Sequence, residues 1–196
     1  MKSAVRSRRS TGLYALALGL LGISLAAYAG LKPGSAAPDF SAQASLGGKV
    51  FTFSLAQALK QGPVVLYFYP AAFTSGCTVE AHEFAEATDK FKALGATVIG
   101  VSGDDIKTLE SFSTKDCASK FPVAADPKGE VIAKYDVALS MPGLSEKLKM
   151  EHVSNRTSYL VAPDGTVLAV YSAMDASKHV STMLDALKAW REAHKA

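Results

Sequence analysis

Cys77 has the surroundings that most clearly favour chemistry. The apolar run from Val64 to Tyr69 predicts a strand buried on both faces, and Pro70 ends it. The periodicity of residues 76–94 predicts a helix that begins beside Cys77. Free backbone N–H groups and the positive end of the helix dipole favour a thiolate there, which is the reactive form of cysteine. We expect the Thr74 hydroxyl to point toward the sulfur and toward a bound oxygen atom.

The alternative interpretation makes Cys77 a small buried hydrophobic residue, as most free cysteines are. The spacing of Pro70, Thr74 and Cys77 directly after a buried strand favours the reactive interpretation. Two cysteines are also too few for a dense disulfide scaffold.

The elements around Cys77 alternate between strands and helices, which predicts an α/β fold. Residues 50–53 are predicted to be the second strand of an N-terminal β-hairpin. A second hairpin turns at Pro163-Asp164-Gly165, and an amphipathic helix from Asp175 to about Ala193 closes the chain. This order predicts a thioredoxin-like fold, with a central mixed sheet flanked by helices.

Three details of this prediction concern the neighbourhood of Cys77. We place Val79, with Phe84 and Phe91, on the buried side of the helix over residues 76–94. The following helix is predicted to run from Ile106 to about Ala118. Residues 138–155 have no regular pattern and are predicted to be irregular.

Pro70, Thr74 and Cys77 match the P-x-x-x-T/S-x-x-C motif of the peroxiredoxins, which are thiol peroxidases of thioredoxin-like fold. The segment from Phe73 to Glu80 most resembles the PrxQ type, also called bacterioferritin comigratory protein. The similarity extends over residues 34–189, which is nearly the whole chain after its first thirty residues.

The resemblance implies that Arg156 orients the peroxide and stabilises the thiolate. A guanidinium suits this role because it keeps its charge and presents several donors in a fixed fork. The alternative is that Arg156 is an ordinary charged surface residue.

The implied reaction is reduction of a peroxide ROOH to ROH. The Cys77 thiolate attacks the terminal oxygen and becomes a sulfenic acid. Thr74, Arg156 and the backbone N–H of Cys77 hold the two oxygens in line. The resemblance implies no metal and no organic cofactor, and the four histidines lack ligand spacing.

Many proteins of the PrxQ type carry a second cysteine five residues after the first, where this chain has His82. Cys117 lies near the end of the next predicted helix, where other members of this type and related peroxidases carry their resolving cysteine. The resemblance therefore implies an intramolecular Cys77–Cys117 disulfide that a thioredoxin-like or other external thiol reduces. Two Cα atoms more than about 7 Å apart cannot be bridged without backbone movement, so we expect local unwinding at residues 76–82 and around Cys117. In the alternative, Cys117 is structural and an external thiol completes the cycle.

Two other functions fit the fold. An exported thiol-disulfide oxidoreductase uses Cys-x-x-Cys, but Thr74 stands where the first cysteine of that pair would be. A thioredoxin-like binding protein without peroxidase activity, such as a copper chaperone, needs clustered Cys, Met and His. Met141 and Met150 are not accompanied by a cysteine pair.

The chain has a net charge of +3, and its basic character comes from the N-terminal segment, residues 1–29. That segment contains four basic residues and no acidic residue: Lys2, Arg6, Arg8 and Arg9. The remainder of the chain is close to neutral, which argues against nucleic acid as a partner.

A basic start, an apolar stretch over residues 13–29 and the pattern Ala27-Tyr28-Ala29 predict a secretory signal peptide over residues 1–29. Residues 30–196 then form a single exported domain, which we place in the periplasm. The alternative is an uncleaved anchor, and only that form would contact a membrane. We expect the domain to be a monomer.

Overall fold

A computed structural model describes residues 30–194, so the predicted signal peptide over residues 1–29 lies outside the described part. The strands are β1 Ser41–Leu46, β2 Lys49–Ser54, β3 Val64–Phe68, β4 Thr97–Ser102, β5 Val123–Ala125, β6 Thr157–Val161 and β7 Val167–Ser172. The helices are α1 Leu55–Leu59, α2 Ser75–Ala93, α3 Ile106–Lys115, α4 Glu130–Lys134, α5 Leu144–Leu148 and α6 His179–Ala193. Within residues 30–194, no helix combines the length and apolar character that a membrane crossing requires.

The seven strands form one mixed sheet in the order β2-β1-β5-β4-β3-β6-β7. Strands β3, β4 and β5 run parallel, and β6 lies antiparallel to β3. The N-terminal hairpin β1–β2 extends the sheet beyond β5. This architecture confirms the predicted α/β, thioredoxin-like fold and its hairpin extension.

Strand β3 is an interior strand of the sheet, between β4 and β6, and all five of its residues are buried. Val65 and Tyr67 face a core that α2, α3 and α6 supply. Leu66 and Phe68 face a second core, built with α1 and α4. Helices cover both faces of the strand, which explains its uninterrupted apolar sequence.

The helix after β3 begins at Ser75 and ends at Ala93, one residue before the predicted helix at each end, but its buried face differs from the prediction in one respect. Val79 is exposed rather than buried. Cys77, Ala81 and Phe84 follow the spacing of one helix face, and Val79 lies two positions from Cys77, on the opposite side. The prediction for Val79 was therefore wrong.

Two further predictions needed correction. Helix α3 ends at Lys115, before the predicted end near Ala118, because Ala118 and Ser119 have φ angles of 48° and 57°. Left-handed backbone of this kind cannot continue a right-handed helix. The segment predicted to be irregular contains the short helix α5, none of whose residues is buried.

Candidate active site

Cys77 lies in the first turn of α2, directly after the turn that follows β3. Thr74 is the N-cap residue of this helix and has extended backbone angles. The turn is fixed to the segments after β4 and before β6. The Ala72 N–H donates to Asp104 Oδ2 over 2.8 Å. Ser154 Oγ likewise donates to the Tyr69 carbonyl over 2.8 Å. The thiol of Cys77 is therefore held in place and is only 2% exposed.

Arg156 directly precedes β6, and the antiparallel pairing of β6 with β3 brings it to the end of the sheet where α2 begins. The side chain is buried. Its Nη2 group donates to Cys77 Sγ over 3.4 Å. Its Nε group donates to the Met174 carbonyl over 3.0 Å, which fixes the plane of the guanidinium.

Gly76 allows this approach of arginine to sulfur. A Cβ atom at this position would lie 3.1 Å from Arg156 Nη2, which is tighter than most side-chain contacts. The glycine between Ser75 and Cys77 therefore contributes space for the guanidinium rather than an unusual backbone conformation.

Thr74 differs in orientation from the expectation. Its hydroxyl donates to the Ala71 carbonyl over 2.9 Å, and no hydrogen bond joins it to Cys77 Sγ. Pro70 is buried at the end of β3, where it closes the strand and lacks an N–H group. Both residues border the site, but in this structure neither contacts the sulfur through a hydrogen bond.

Cys117 lies two residues beyond the end of α3 and is fully buried. Cys77 and Cys117 are both free thiols and belong to the same apolar core. Burial, with the nearby charge of Asp116, raises the pKa of the Cys117 thiol well above its ordinary value. His82 stands 3.8 Å from Asp116 Oδ1 and connects α2 to the segment that carries Cys117.

Sequence reasoning missed Glu80, which lies one turn after Cys77 on α2. Its carboxylate is completely buried, and Oε2 accepts a hydrogen bond from Arg156 Nη1. Burial raises the pKa of Glu80 to about 8, although Arg156 opposes this shift. A charged residue three positions from the nucleophile, on a helix face predicted to be apolar, was the available signal.

His179, the first residue of α6, was also missed. It is fully buried, and its Nδ1 atom is 3.5 Å from Glu80 Oε1. Nδ1 also lies 2.8 Å from Ser158 Oγ, and Nε2 lies 2.9 Å from the Ala173 carbonyl. Burial lowers the pKa of His179 to about 4. No local pattern indicated this residue, because only the packing of α6 brings it to Glu80.

This arrangement can activate a thiol and bind an oxygen atom beside it. The guanidinium of Arg156 uses one N–H for the sulfur, one for Glu80 and one for Met174, so two of its five N–H groups remain for a ligand. The start of α2 adds free backbone N–H groups. No group of three or more His, Cys, Asp or Glu residues within 30–194 is placed to hold a metal ion.

A thioredoxin-like fold with a cysteine at a helix start, and an arginine against its sulfur, is the arrangement of the thiol peroxidases. The profile of the AhpC/TSA family matches residues 33–170. The chain belongs to this family, the peroxiredoxins.

Individual relatives agree with this assignment. Peroxiredoxin Q from the chloroplast of Oryza sativa subsp. japonica is 34% identical over 156 residues, which are 79% of this chain and 66% of the rice protein. The crystal structure of peroxidoxin BcpB from Mycobacterium tuberculosis superposes with a TM-score of 0.71 at 29% identity. That match covers 81% of this chain and 97% of BcpB. A structure of Xanthomonas campestris peroxiredoxin Q matches at 30% identity with a TM-score of 0.63, over 75% of this chain and 89% of that protein.

Proposed function

We propose that the chain reduces hydrogen peroxide and organic hydroperoxides with Cys77 as the nucleophile. The observation that carries the proposal is the 3.4 Å contact between Arg156 Nη2 and Cys77 Sγ at the start of α2. Membership of the peroxiredoxin family supports the same activity.

The first step forms a sulfur–oxygen bond and breaks the peroxide bond. The Cys77 thiolate attacks the terminal oxygen of ROOH, and the alkoxide leaves and takes up a proton to give ROH. Sulfur is oxidised to sulfenic acid, and the peroxide is reduced by two electrons. Arg156 and the backbone N–H of Cys77 stabilise the charge that moves to the leaving oxygen. In this proposal Thr74 turns its hydroxyl from the Ala71 carbonyl to the bound peroxide.

In the second step the sulfur of Cys117 attacks the sulfenic acid, which gives an intramolecular disulfide and water. An external dithiol then reduces the disulfide, and a thioredoxin-like protein has suitable chemistry. The chain is thus an atypical two-cysteine peroxidase in our proposal.

Both thiols are buried in the folded protein, so an external dithiol can reach their disulfide only after movement. The segment after Cys117 is suited to such movement. Ala118 and Ser119 are consecutive residues with left-handed φ angles, and each costs about 1 kcal/mol relative to ordinary backbone. We propose that residues 76–82 and the segment around Cys117 unwind locally before the disulfide forms.

The cellular location belongs to the same proposal. Residues 1–29 have the sequence of a signal peptide, which would export residues 30–196 to the periplasm as a monomeric domain. If the segment is not cleaved, it would instead anchor the domain to the membrane. N-terminal sequencing of the protein from a membrane-free periplasmic fraction distinguishes these forms.

Intact-mass analysis after one equivalent of hydrogen peroxide tests the chemistry. The expected product has lost two hydrogen atoms and yields a cross-linked Cys77–Cys117 peptide. The Cys117→Ser variant is the matched control and should retain one added oxygen on Cys77. The proposed resolution fails if the unaltered protein also stops at a sulfenic or sulfinic acid. Equal peroxide consumption by the unaltered protein and by Cys77→Ser would refute the peroxidase function itself.

A further inference from the structure

The turn of the N-terminal hairpin lies against the chain on both sides of Cys117. Gly47 and Gly48 form the turn between β1 and β2, and both have positive φ angles. A Cβ atom on Gly47 would lie 3.1 Å from Ser119 Oγ, so glycine lets the turn approach the chain just after the cysteine. Before the cysteine, the Gly48 N–H donates to Ser113 Oγ over 3.0 Å.

Ser113, in the last turn of α3, joins the hairpin to the helix through a fully satisfied set of hydrogen bonds. Its hydroxyl donates to the Glu110 carbonyl over 2.9 Å. Its two lone pairs then accept from the Gly48 N–H and from Ser45 Oγ, each at 3.0 Å. The Ser113 carbonyl in turn accepts from the Ser119 N–H over 2.9 Å. Both serine side chains at the β1 contact are completely buried, so a lost hydrogen bond there leaves a costly unsatisfied group.

The hairpin is open to solvent over much of its remaining surface. Four of the six residues of β2 are exposed, and β1 pairs with β5 at only two positions. Leu46 and Phe51 also line, together with Phe121, a groove of about 320 Å³ between the hairpin and the chain after Cys117. The hydrogen bonds of Ser113 are therefore a substantial part of what holds the hairpin against this chain.

We propose that Ser113 is a positioning residue for the resolving step. Through its hydrogen bonds to β1 and to the hairpin turn, it holds the Cys117 segment, residues 113–119, closed and keeps the Cys117 thiol buried. These hydrogen bonds break when the segment opens, so their strength sets how often Cys117 becomes available. The effect on peroxide reduction rests on the function proposed above, whereas the contact between the hairpin and the Cys117 segment does not.

Alkylation of Cys117 tests this role without peroxide. The Cys77→Ser background leaves Cys117 as the single cysteine of the chain, and the thiol is fully buried, so iodoacetamide reacts with it only when the segment opens. Ser113→Ala removes the acceptor of two hydrogen bonds and should speed alkylation about tenfold. This factor corresponds to about 1.4 kcal/mol, near the upper end for one hydrogen bond.

Three further variants in the same background separate this role from packing. Thr114→Ala is the matched control, because the Thr114 hydroxyl donates to the same Glu110 carbonyl but makes no hydrogen bond with the hairpin, and its rate should stay within twofold. Ser45→Ala removes one hydrogen bond and should have a smaller effect, which keeps the comparison available if Ser113→Ala fails to fold. The double variant Ser45→Ala/Ser113→Ala should open no more often than Ser113→Ala, because their shared hydrogen bond is lost only once.

The dependence of alkylation on urea distinguishes local opening from global unfolding. Local opening exposes little surface, so the rate should change little in urea below the unfolding transition. A steep increase of the Ser113→Ala rate with urea would assign the effect to overall stability and overturn the inference.

Rapid mixing with hydrogen peroxide, with both cysteines present, tests the consequence for the reaction. Sulfenic acid formation at Cys77 should be equal in the unaltered protein, Ser113→Ala and Thr114→Ala, because the hydrogen bond between Cys77 and Arg156 does not involve Ser113. Disulfide formation, followed by quenched mass analysis, should be about tenfold faster in Ser113→Ala alone. A purely structural role would lower the melting temperature without separating the two steps.

Equal alkylation of Cys117 in Ser113→Ala and Thr114→Ala would overturn the inference. Faster alkylation without a faster disulfide would also overturn it, because opening would then not control the resolving step. Faster alkylation in a protein that consumes no peroxide would support the contact between the hairpin and the Cys117 segment and refute the proposed function.

Discussion

Replacement of Arg156 by methionine tests the central contact of the proposed site. Methionine keeps an unbranched side chain of similar volume but removes the charge and every donor. Burial raises the pKa of Glu80 to about 8 even beside Arg156, so that carboxyl group can be uncharged at neutral pH when the arginine is replaced. We therefore expect Arg156→Met to fold, although breaking a buried ion pair is usually strongly destabilising.

The distances determine the size of the expected effect. Two unit charges separated by the 3.4 Å between Nη2 and Sγ attract by about 5 kcal/mol at an effective dielectric constant of about 20. Measured hydrogen bonds to charged groups contribute less, about 1.5–3 kcal/mol. A loss of about 2–4 kcal/mol corresponds to a rate of sulfenic acid formation that is about 30- to 1,000-fold lower.

The assay is a single-turnover stopped-flow measurement of the reduced protein with excess hydrogen peroxide, at pH 7. Arg191→Met is the matched control, because Arg191 carries the same charge but donates to the Leu94 carbonyl, away from the sulfur. The control should react within about twofold of the unaltered protein. An Arg156→Met variant that melts normally and reacts within threefold of the unaltered protein would refute this role for the arginine.

Three further predictions concern the neighbourhood of the two cysteines. Gly76→Ala should raise the melting temperature, because alanine is the better helix former. It should also slow peroxide reduction several-fold, because the added Cβ displaces Arg156, and equal rates in stopped flow would contradict this displacement. His82→Ala removes the 3.8 Å contact with Asp116 and should speed disulfide formation by up to about fivefold. A slower disulfide in quenched mass analysis would count against this prediction. Ser119 has a left-handed φ angle that costs a non-glycine residue about 1 kcal/mol, so Ser119→Gly should raise the melting temperature by about 2–4 °C and slow disulfide formation. A lower melting temperature would show that no strain is stored at this residue.

The sequence predicted the elements of the fold well where one physical signal dominated. The apolar run at Val64 predicted a strand covered on both faces, and β3 is an interior strand whose five residues are all buried. The end of α3 was less predictable, since nothing in the residue types of Ala118 and Ser119 announces left-handed backbone. Val79 was placed on the wrong face because its apolar side chain outweighed its position relative to Cys77.

The candidate site was predictable only as far as local sequence and family resemblance extend. Cys77 and Thr74 belong to one short motif, and Arg156 was named from the resemblance. Glu80 and His179 were not named, because their interaction depends on α6 packing against α2 and on the depth of burial there. Pairs of charged residues far apart in sequence have no periodicity that would reveal them.

In the proposed cycle, the burial of Cys117 makes the resolving step depend on movement in two ways. A thiolate is the attacking species in disulfide chemistry, and burial with the charge of Asp116 raises the pKa of this thiol far above neutrality. Local unwinding would therefore both expose the two sulfurs and restore the ordinary ionisation of Cys117.

In the proposed cycle the same unwinding would remove Cys77 from Arg156, so the folded form would react with peroxide and the unwound form would make the disulfide. A second peroxide can then oxidise the sulfenic acid to sulfinic acid only while the protein remains folded. Substitutions that stabilise the segment after Cys117, such as Ser119→Gly, should raise the yield of sulfinic acid at high peroxide. His82→Ala should lower the yield of sulfinic acid. Intact-mass analysis of both variants over a series of peroxide concentrations measures these yields. Equal yields would show that the rate of disulfide formation does not depend on the stability of the segment after Cys117.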